Sequence, residues 1–304
     1  MNQHQKIIFI FLDGVGIGRK DKRYNPFFAD NFPALFTLFG NSMLHIRSAW
    51  REGRDLSVVP VNTTLGVPGL PQSGTGQAAM LTGINAPQIV GRHFGPYLYS
   101  SLKPLVKEKN IFRSLRDLKK KPYYANAFPR QFFDYLSKGG KMSAITYAWL
   151  SAGYRLLGEE AIIDGRGLSA DMTNERWRSL GYPDMPVITA REGGKRLVNL
   201  SDDYHFVFYE YFLTDHAGHT QSMEEGVRVL KNVDEFIGGV LDTFDTAEML
   251  LVLFSDHGNL EDMSTKSHTR NPVPLVAFGR EHSRLTARVR KLTDIVPALL
   301  DGMK

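Results

Sequence analysis

The chain has 304 residues, of which 42% are hydrophobic and 23% charged, with a formal charge of +5. This is enough to bury a substantial core, in one large domain or a core with a smaller companion, and the mixed charge argues against global disorder. Cysteine is absent, which excludes disulfides, thiolate nucleophiles and sulfur-ligated metal sites. The basic excess sits in short runs, Arg19 to Arg23 and Lys119 to Lys121. These read as solvated loops or helix ends, so no nucleic-acid partner is expected, whereas an anionic substrate is compatible.

The N-terminal apolar run before Asp13 is too short to span a bilayer and lacks a signal-peptide cleavage pattern. A cytoplasmic protein without a membrane partner is the expectation; composition leaves the oligomeric state open. Residues 6–12 predict a buried parallel strand ending in Asp13 and Gly14. The following glycines are spaced GxGxG rather than GxGxxG and lead into a polar loop, which argues against a dinucleotide site. Residues 31–38 predict a short helix opened by Pro33. Residues 55–72, rich in Pro, Gly and Thr, read as a long loop approaching a site. Residues 77–82 predict a helix stopped by Gly83, with Ser73 either its N-cap or a side chain projecting into a cleft. Free amides at that helix start favour an anion.

The middle has a different texture. Residues 101–120 suggest one helix, 142–149 a strand or buried helix, and 174–180 a helix broken at 181–184. Acid–histidine pairs are missing here, so residues 98–202 are expected to form an inserted cap subdomain. Residues 1–97 and 203–304 are then the catalytic core. In that core 205–213 predicts a strand, 220–241 an amphipathic helix, 249–254 a strand and 292–300 a terminal helix with Thr293 as its cap.

Three strand ends deliver acids and histidines: Asp13, then Asp215 with His219, then Asp256 with His257; His268 follows eleven residues later. Open α/β sheets carry their chemistry at the carboxyl ends of their strands. Asp215 and His219 are four apart and share a face if helical. Asp256 and His257 are adjacent and need an irregular turn, which Gly258 allows. Any one pair is weak, because core histidines often only satisfy local hydrogen bonds and strand-end aspartates often cap helices. Repetition at separate strand ends points to a metal-dependent hydrolase or phosphotransferase, with oxygen and nitrogen ligands suited to zinc or manganese. His216 is left out of the ligand set.

The blocks FLDGVGIG, TDHAGH, SDHGN and SHTRNPVP, in that order, resemble the alkaline phosphatase superfamily. The similar branch contains cofactor-independent phosphoglycerate mutase and phosphopentomutase. The resemblance covers about residues 6–83 and 205–300. It implies an α/β fold with an alkaline-phosphatase-like, mostly parallel sheet flanked by helices and carrying a smaller inserted α/β cap. It implies two divalent ions, manganese first and zinc a close alternative. One would take Asp13, Ser73, Asp256 and His257, the other Asp215, His219 and His268. It also implies Ser73 as nucleophile, with Thr75 the alternative. The block QSGTGQAAMLTG departs from the mutases by placing Gln77 where they have histidine, and it is also similar to the sulfatase pattern. Without cysteine, a cysteine-derived formylglycine cannot form.

Gln77, Arg92, Arg166 and Lys266 are candidate substrate contacts; for the three cations ordinary surface charge is the competing reading. Residues 98–202 are close in length to the phosphopentomutase insert and shorter than the mutase substrate domain. The expected activity is hydrolysis of a small phosphomonoester through a phosphoserine. A phosphosugar mutase is the alternative. A phosphodiesterase, a sulfatase-like hydrolase and a non-catalytic metal-binding protein are further ones.

Overall fold

The computed structural model describes residues 6–304; the first five residues of the N-terminal stretch lie outside it. The first half runs β1 (Lys6–Leu12), α1 (Pro33–Leu38), β2 (Arg51–Glu52), β3 (Leu56–Val61), α2 (Ser73–Thr82) and α3 (Ala86–Val90). Next come α4 (Lys103–Glu108), α5 (Ile111–Asp117), β4 (Pro122–Tyr124), α6 (Arg130–Ser137) and α7 (Ala144–Ser151). Then follow α8 (Glu159–Ile163), α9 (Glu175–Ser179), α10 (Ala190–Leu200), β5 (Phe206–Tyr211), α11 (Leu213–Thr220) and α12 (Met223–Thr243). The chain closes with β6 (Met249–Phe254), β7 (Val273–Gly279), α13 (His282–Arg288) and α14 (Ile295–Gly302).

The strands form one sheet in the order β2-β3-β7-β6-β1-β5-β4. Strands β6, β1, β5 and β4 are parallel, and β7, β3 and β2 add an antiparallel wing. β1 is apolar on both faces because both are covered. Ile7, Phe9 and Phe11 pack on the side of α2, α5, α7 and α14, and Ile8, Ile10 and Leu12 on the side of α1, α10 and α12. Parallel alignment brings the carboxyl ends of β1, β5 and β6 to one edge, where Asp13, the start of α11 and Asp256 emerge.

Residues 98–202 contribute the edge strand β4, and helices on both sides of the sheet. Trp149 of α7 stacks edge-on against Phe112 and Tyr124, and α10 lies along α12. A small separate cluster, Ala127, Ile162, Trp177 and Met185, holds the part beyond β4 together.

Several local expectations change. The 55–72 stretch contains β3, whose Pro60 pairs with Pro274 of β7, so no ladder donor is stranded. The helix expected over 101–120 is broken at Lys109, and Asn110 caps α5 by accepting from the Arg113 amide. Residues 142–149 resolve as helix α7. Gln72, not Ser73, is the N-cap residue of α2, and Asp294, not Thr293, is that of α14. Among the described residues no helix is long and apolar enough to cross a membrane.

Candidate metal centre and nucleophile

Local hydrogen bonds fix the strand ends. The Asp13 amide donates to the Tyr211 carbonyl and the Thr214 hydroxyl donates to the Asp13 carbonyl, tying the exit of β1 to the entry of α11. Gly14 has φ +70°, and a Cβ there would stand 2.6 Å from Asp215 Oδ1, so both conformation and space require glycine. The Thr269 amide donates to the Gly258 carbonyl, which swings the segment before β7 alongside the loop after β6. His268 thereby stacks on His257, with ring centroids 3.9 Å apart. Gly258 serves a close approach: a Cβ there would collide with Glu261 and Thr269.

Two clusters result. Ligand-capable atoms of Asp13, Asp256 and His257 lie within 4.8 Å of one another, as do those of Asp215, His219 and His268. In the first, His257 Nε2 stands 3.2 Å from Asp13 Oδ1, 3.7 Å from Asp256 Oδ2 and 2.9 Å from Ser73 Oγ. In the second, His219 Nε2 is 3.2 Å from Asp215 Oδ2 and His268 Nε2 is 3.5 Å from Asp215 Oδ1.

The donor chemistry fits cations. His219 Nδ1 faces the Lys266 carbonyl at 2.8 Å and His268 Nδ1 faces the Pro71 carbonyl at 2.7 Å. With each Nδ1 turned to a carbonyl, the two Nε2 atoms converge 3.2 Å apart beside the Asp215 carboxylate, the arrangement of a ligand pair. Asp256 is fully buried, and neither of its oxygens has a hydrogen-bond partner; Asp13 Oδ1 is met by His257 Nε2 at 3.2 Å. A buried carboxylate in that state needs a counter-charge.

The electrostatics express the same demand. Burial, reinforced by Asp13, pushes the Asp256 carboxyl well above its usual range. Burial opposes charge on His257, but Asp256, Asp13 and Asp215 together outweigh it and raise the imidazole to about 10. Burial and the charge of His257 push His268 down to about 4. Asp215 is held below the carboxylate range: burial opposes this, and His219, His257, Asn259 and His268 overcome it.

The other candidates fall elsewhere. The Thr75 hydroxyl donates to the Gln72 carbonyl and accepts from the Phe94 amide, so it pins the helix start rather than facing His257. The Thr75 amide donates to the Phe94 carbonyl, which removes one of the expected anion-binding amides. Gln77 is buried, and its amide donates to Asp13 Oδ2 at 3.3 Å, which makes it a neighbour of Asp13. Arg92 lies over the Phe94 ring. Arg166 pairs with Asp164 and lines a cleft of about 930 Å³ that none of the seven ligand candidates lines. Lys266 contributes its carbonyl, to His219.

Sequence reasoning missed Asn259 and Glu261. Asn259 Nδ2 donates to Asp215 Oδ1 at 2.6 Å. Glu261, 2% exposed, accepts from the Gly16 and Asn259 amides and from Thr269 and Asn271, knitting three loops together. Both lie within five residues of Asp256 in DHGNLE, and a second acid four residues after His257 was the available signal. Glu210 was also missed. It is buried near Asp13, accepts from the Tyr124 hydroxyl, and is raised by burial to about 7.

This chain has a mixed α/β architecture of the alkaline-phosphatase-like kind, with two ligand-capable clusters at the parallel strand ends. Residues 180–304 match the model of the Metalloenzyme superfamily, a stretch that holds five of the seven ligand candidates. The 2,3-bisphosphoglycerate-independent phosphoglycerate mutase of Paracoccus denitrificans is 34% identical over 131 residues, covering 40% of this chain and 25% of that protein. The mutase of the same name from Moorella thermoacetica is 29% identical over 126 residues, again covering 40% and 25%. The match thus spans a quarter of these relatives' length. Among solved structures, the PH0037 protein from Pyrococcus horikoshii aligns with TM-score 0.60 and 16% identity, over 100% of this chain and 98% of that one. A cold-active alkaline phosphatase from Shewanella sp. aligns with TM-score 0.53 and 11% identity, over 97% and 99%.

Proposed function

We propose that the chain is a metal-dependent phosphoryl-transfer enzyme acting on small phosphomonoesters through Ser73. The observation that carries this is the pairing of an unpartnered, fully buried Asp256 with a serine hydroxyl 2.9 Å from His257, next to a second acid–histidine cluster. Asp13, Ser73, Asp256 and His257 would hold one divalent ion and Asp215, His219 and His268 the other. Manganese is the first choice and zinc a close second, since both accept oxygen and nitrogen donors. When bound, the ions supply positive charge that favours the Ser73 alkoxide and offsets charge on the phosphoryl oxygens.

The chain's own part is positional. Ser73 stands at the first turn of α2, aimed at His257, where its Oγ attacks phosphorus in line. The Oγ–P bond forms as the ester O–P bond breaks, and the departing alcohol oxygen takes a proton. Water then attacks the phosphoserine, inorganic phosphate leaves, and Ser73 recovers its proton. Asn259 and the two carbonyls at Pro71 and Lys266 keep Asp215, His268 and His219 oriented throughout. Residues 98–202 are proposed to face the substrate and the flanking segments to carry the chemistry.

A second reading, a phosphomutase, is favoured by the mutase names of the sequence relatives. There the phosphoryl group returns from Ser73 to another hydroxyl of the substrate. Rapid acid quench with intact mass spectrometry tests the shared step: one added phosphoryl group on wild type and none on Ser73→Ala is the expected result. An adduct persisting in Ser73→Ala would move the nucleophile. Released phosphate against isomerised ester then separates the two readings.

A further inference from the structure

Helix α2 turns one face to the enclosed Asp13, Asp256 and His257 cluster. Ser73 Oγ lies 2.9 Å from His257 Nε2, and a Cβ on Gly76 would stand 3.2 Å from the Cβ of Asp256. Gln77 completes that face, since residues three and four positions apart share one side of a helix. It is 2% exposed, and its Nε2 donates to Asp13 Oδ2 at 3.3 Å. Its Oε1 accepts from nothing among the described residues, and neither do the two oxygens of Asp256. Buried acceptors without a donor are costly, and they suit a cation with its water rather than an anion.

The two oxygens of Asp13 are engaged differently. Oδ1 stands 3.2 Å from His257 Nε2, and Oδ2 meets Gln77. In the two-ion reading His257 gives Nε2 to the ion, and a ring nitrogen whose lone pair ligates has no hydrogen to donate. Gln77 is then the one side chain among the described residues still donating to the Asp13 carboxylate. Its neutrality matters as well. An amide orients the carboxylate without cancelling its charge, so Asp13 and Asp256 still present two negative charges to a divalent ion. A lysine or arginine in that place would compete with the ion for them.

We propose that Gln77 is a positioning residue of the enclosed cation site: it locks Asp13 by Oδ2, leaves Oδ1 for the ion, and so sets the affinity of that site. This rests on the two-ion reading.

Two variants test it. Gln77→Met deletes the amide at nearly constant volume, and Gln77→Leu repeats the deletion in another shape. Thermal midpoints of the metal-free proteins identify which of them fold as wild type does. Mn2+ is titrated into protein without substrate, and the free ion is followed by electron paramagnetic resonance. The enclosed site is recognised as the one that Asp256→Asn abolishes. Its Kd is expected to rise about tenfold or more in the Gln77 variants, while the Kd of the other site stays unchanged. The kcat/KM for 4-nitrophenyl phosphate should fall at limiting Mn2+ and recover at saturating Mn2+. Two unchanged Kd values overturn the proposal, whether or not kcat/KM falls. Equal weakening of both sites overturns it too, because general loosening of the structure would do that. If wild type binds no Mn2+, the two-ion reading itself fails and the proposal falls with it; binding in wild type that the variants match defeats the proposal alone.

Discussion

The two ligand clusters share a sheet edge and differ in their access to water. Asp256 and His257 are fully enclosed, whereas the His219 side chain is 45% exposed. The consequence is visible in the two stacked imidazoles: His257 is driven up to about 10 by surrounding carboxylates, and His268 is driven down to about 4 by burial and by His257. One cluster concentrates negative charge in a dry place, and the other spreads it towards solvent. Charge that water cannot reach is neutralised by a proton, by a charged neighbour such as His257 or by a bound cation. We therefore expect the enclosed cluster to hold its ion tightly and the open one to exchange it.

The largest effect that could break this comparison is at Asp256. Asp256→Asn should lower kcat/KM by roughly 10³-fold or more and drop metal content from two ions per chain to one, measured by elemental analysis. His219→Ala should cost less, about 10²-fold, and regain part of its activity when manganese is raised, since the open cluster retains two ligands. A reversed order of these losses would contradict the assignment of tight and exchangeable clusters.

A third effect concerns Glu210, electrostatically coupled to Asp13. Burial lifts its carboxyl from the ordinary glutamate value of 4.5 to about 7, so the folded state binds this proton more tightly than the unfolded chain. The stabilisation is complete below the unfolded value and is lost as pH rises through about 7. In chelator-treated protein, Glu210→Gln should be close to neutral at the acid end. Above the folded value it should be more stable than wild type by about 3 kcal/mol at most, read by denaturant unfolding. A pH-independent difference would remove Glu210 from the electrostatics of the enclosed cluster. The smallest effect is at Lys266, whose carbonyl alone is used: Lys266→Ala should change kcat/KM by less than about twofold.

The ends of β1 and β6 were legible because each is a continuous apolar run stopped by a polar, glycine-containing turn, and that of β5 because a mostly apolar run gives way to the polar residues of α11. β3 was not, because Pro60 disguises it; the partner at that position is another proline, a fact of register that sequence does not carry. α10 was missed for a related reason. Gly193 and Gly194 lower its helix propensity, yet a Cβ on Gly194 would collide with the Phe236 carbonyl, so close packing on α12 demands the residue that propensity disfavours. The ligand candidates stood in recognisable pairs. Asn259 and Glu261 were overlooked because much of their work is done by reaching across to loops distant in sequence, at Gly16 and Asp215. The substrate candidates were the least legible, since an arginine's direction is set by tertiary neighbours such as Asp164.

Anomalous X-ray diffraction from crystals grown with manganese tests the two-ion proposal most directly. The expected map has two peaks per chain, one among Asp13, Ser73, Asp256 and His257 and one among Asp215, His219 and His268. A single peak, or peaks away from these side chains, would contradict it.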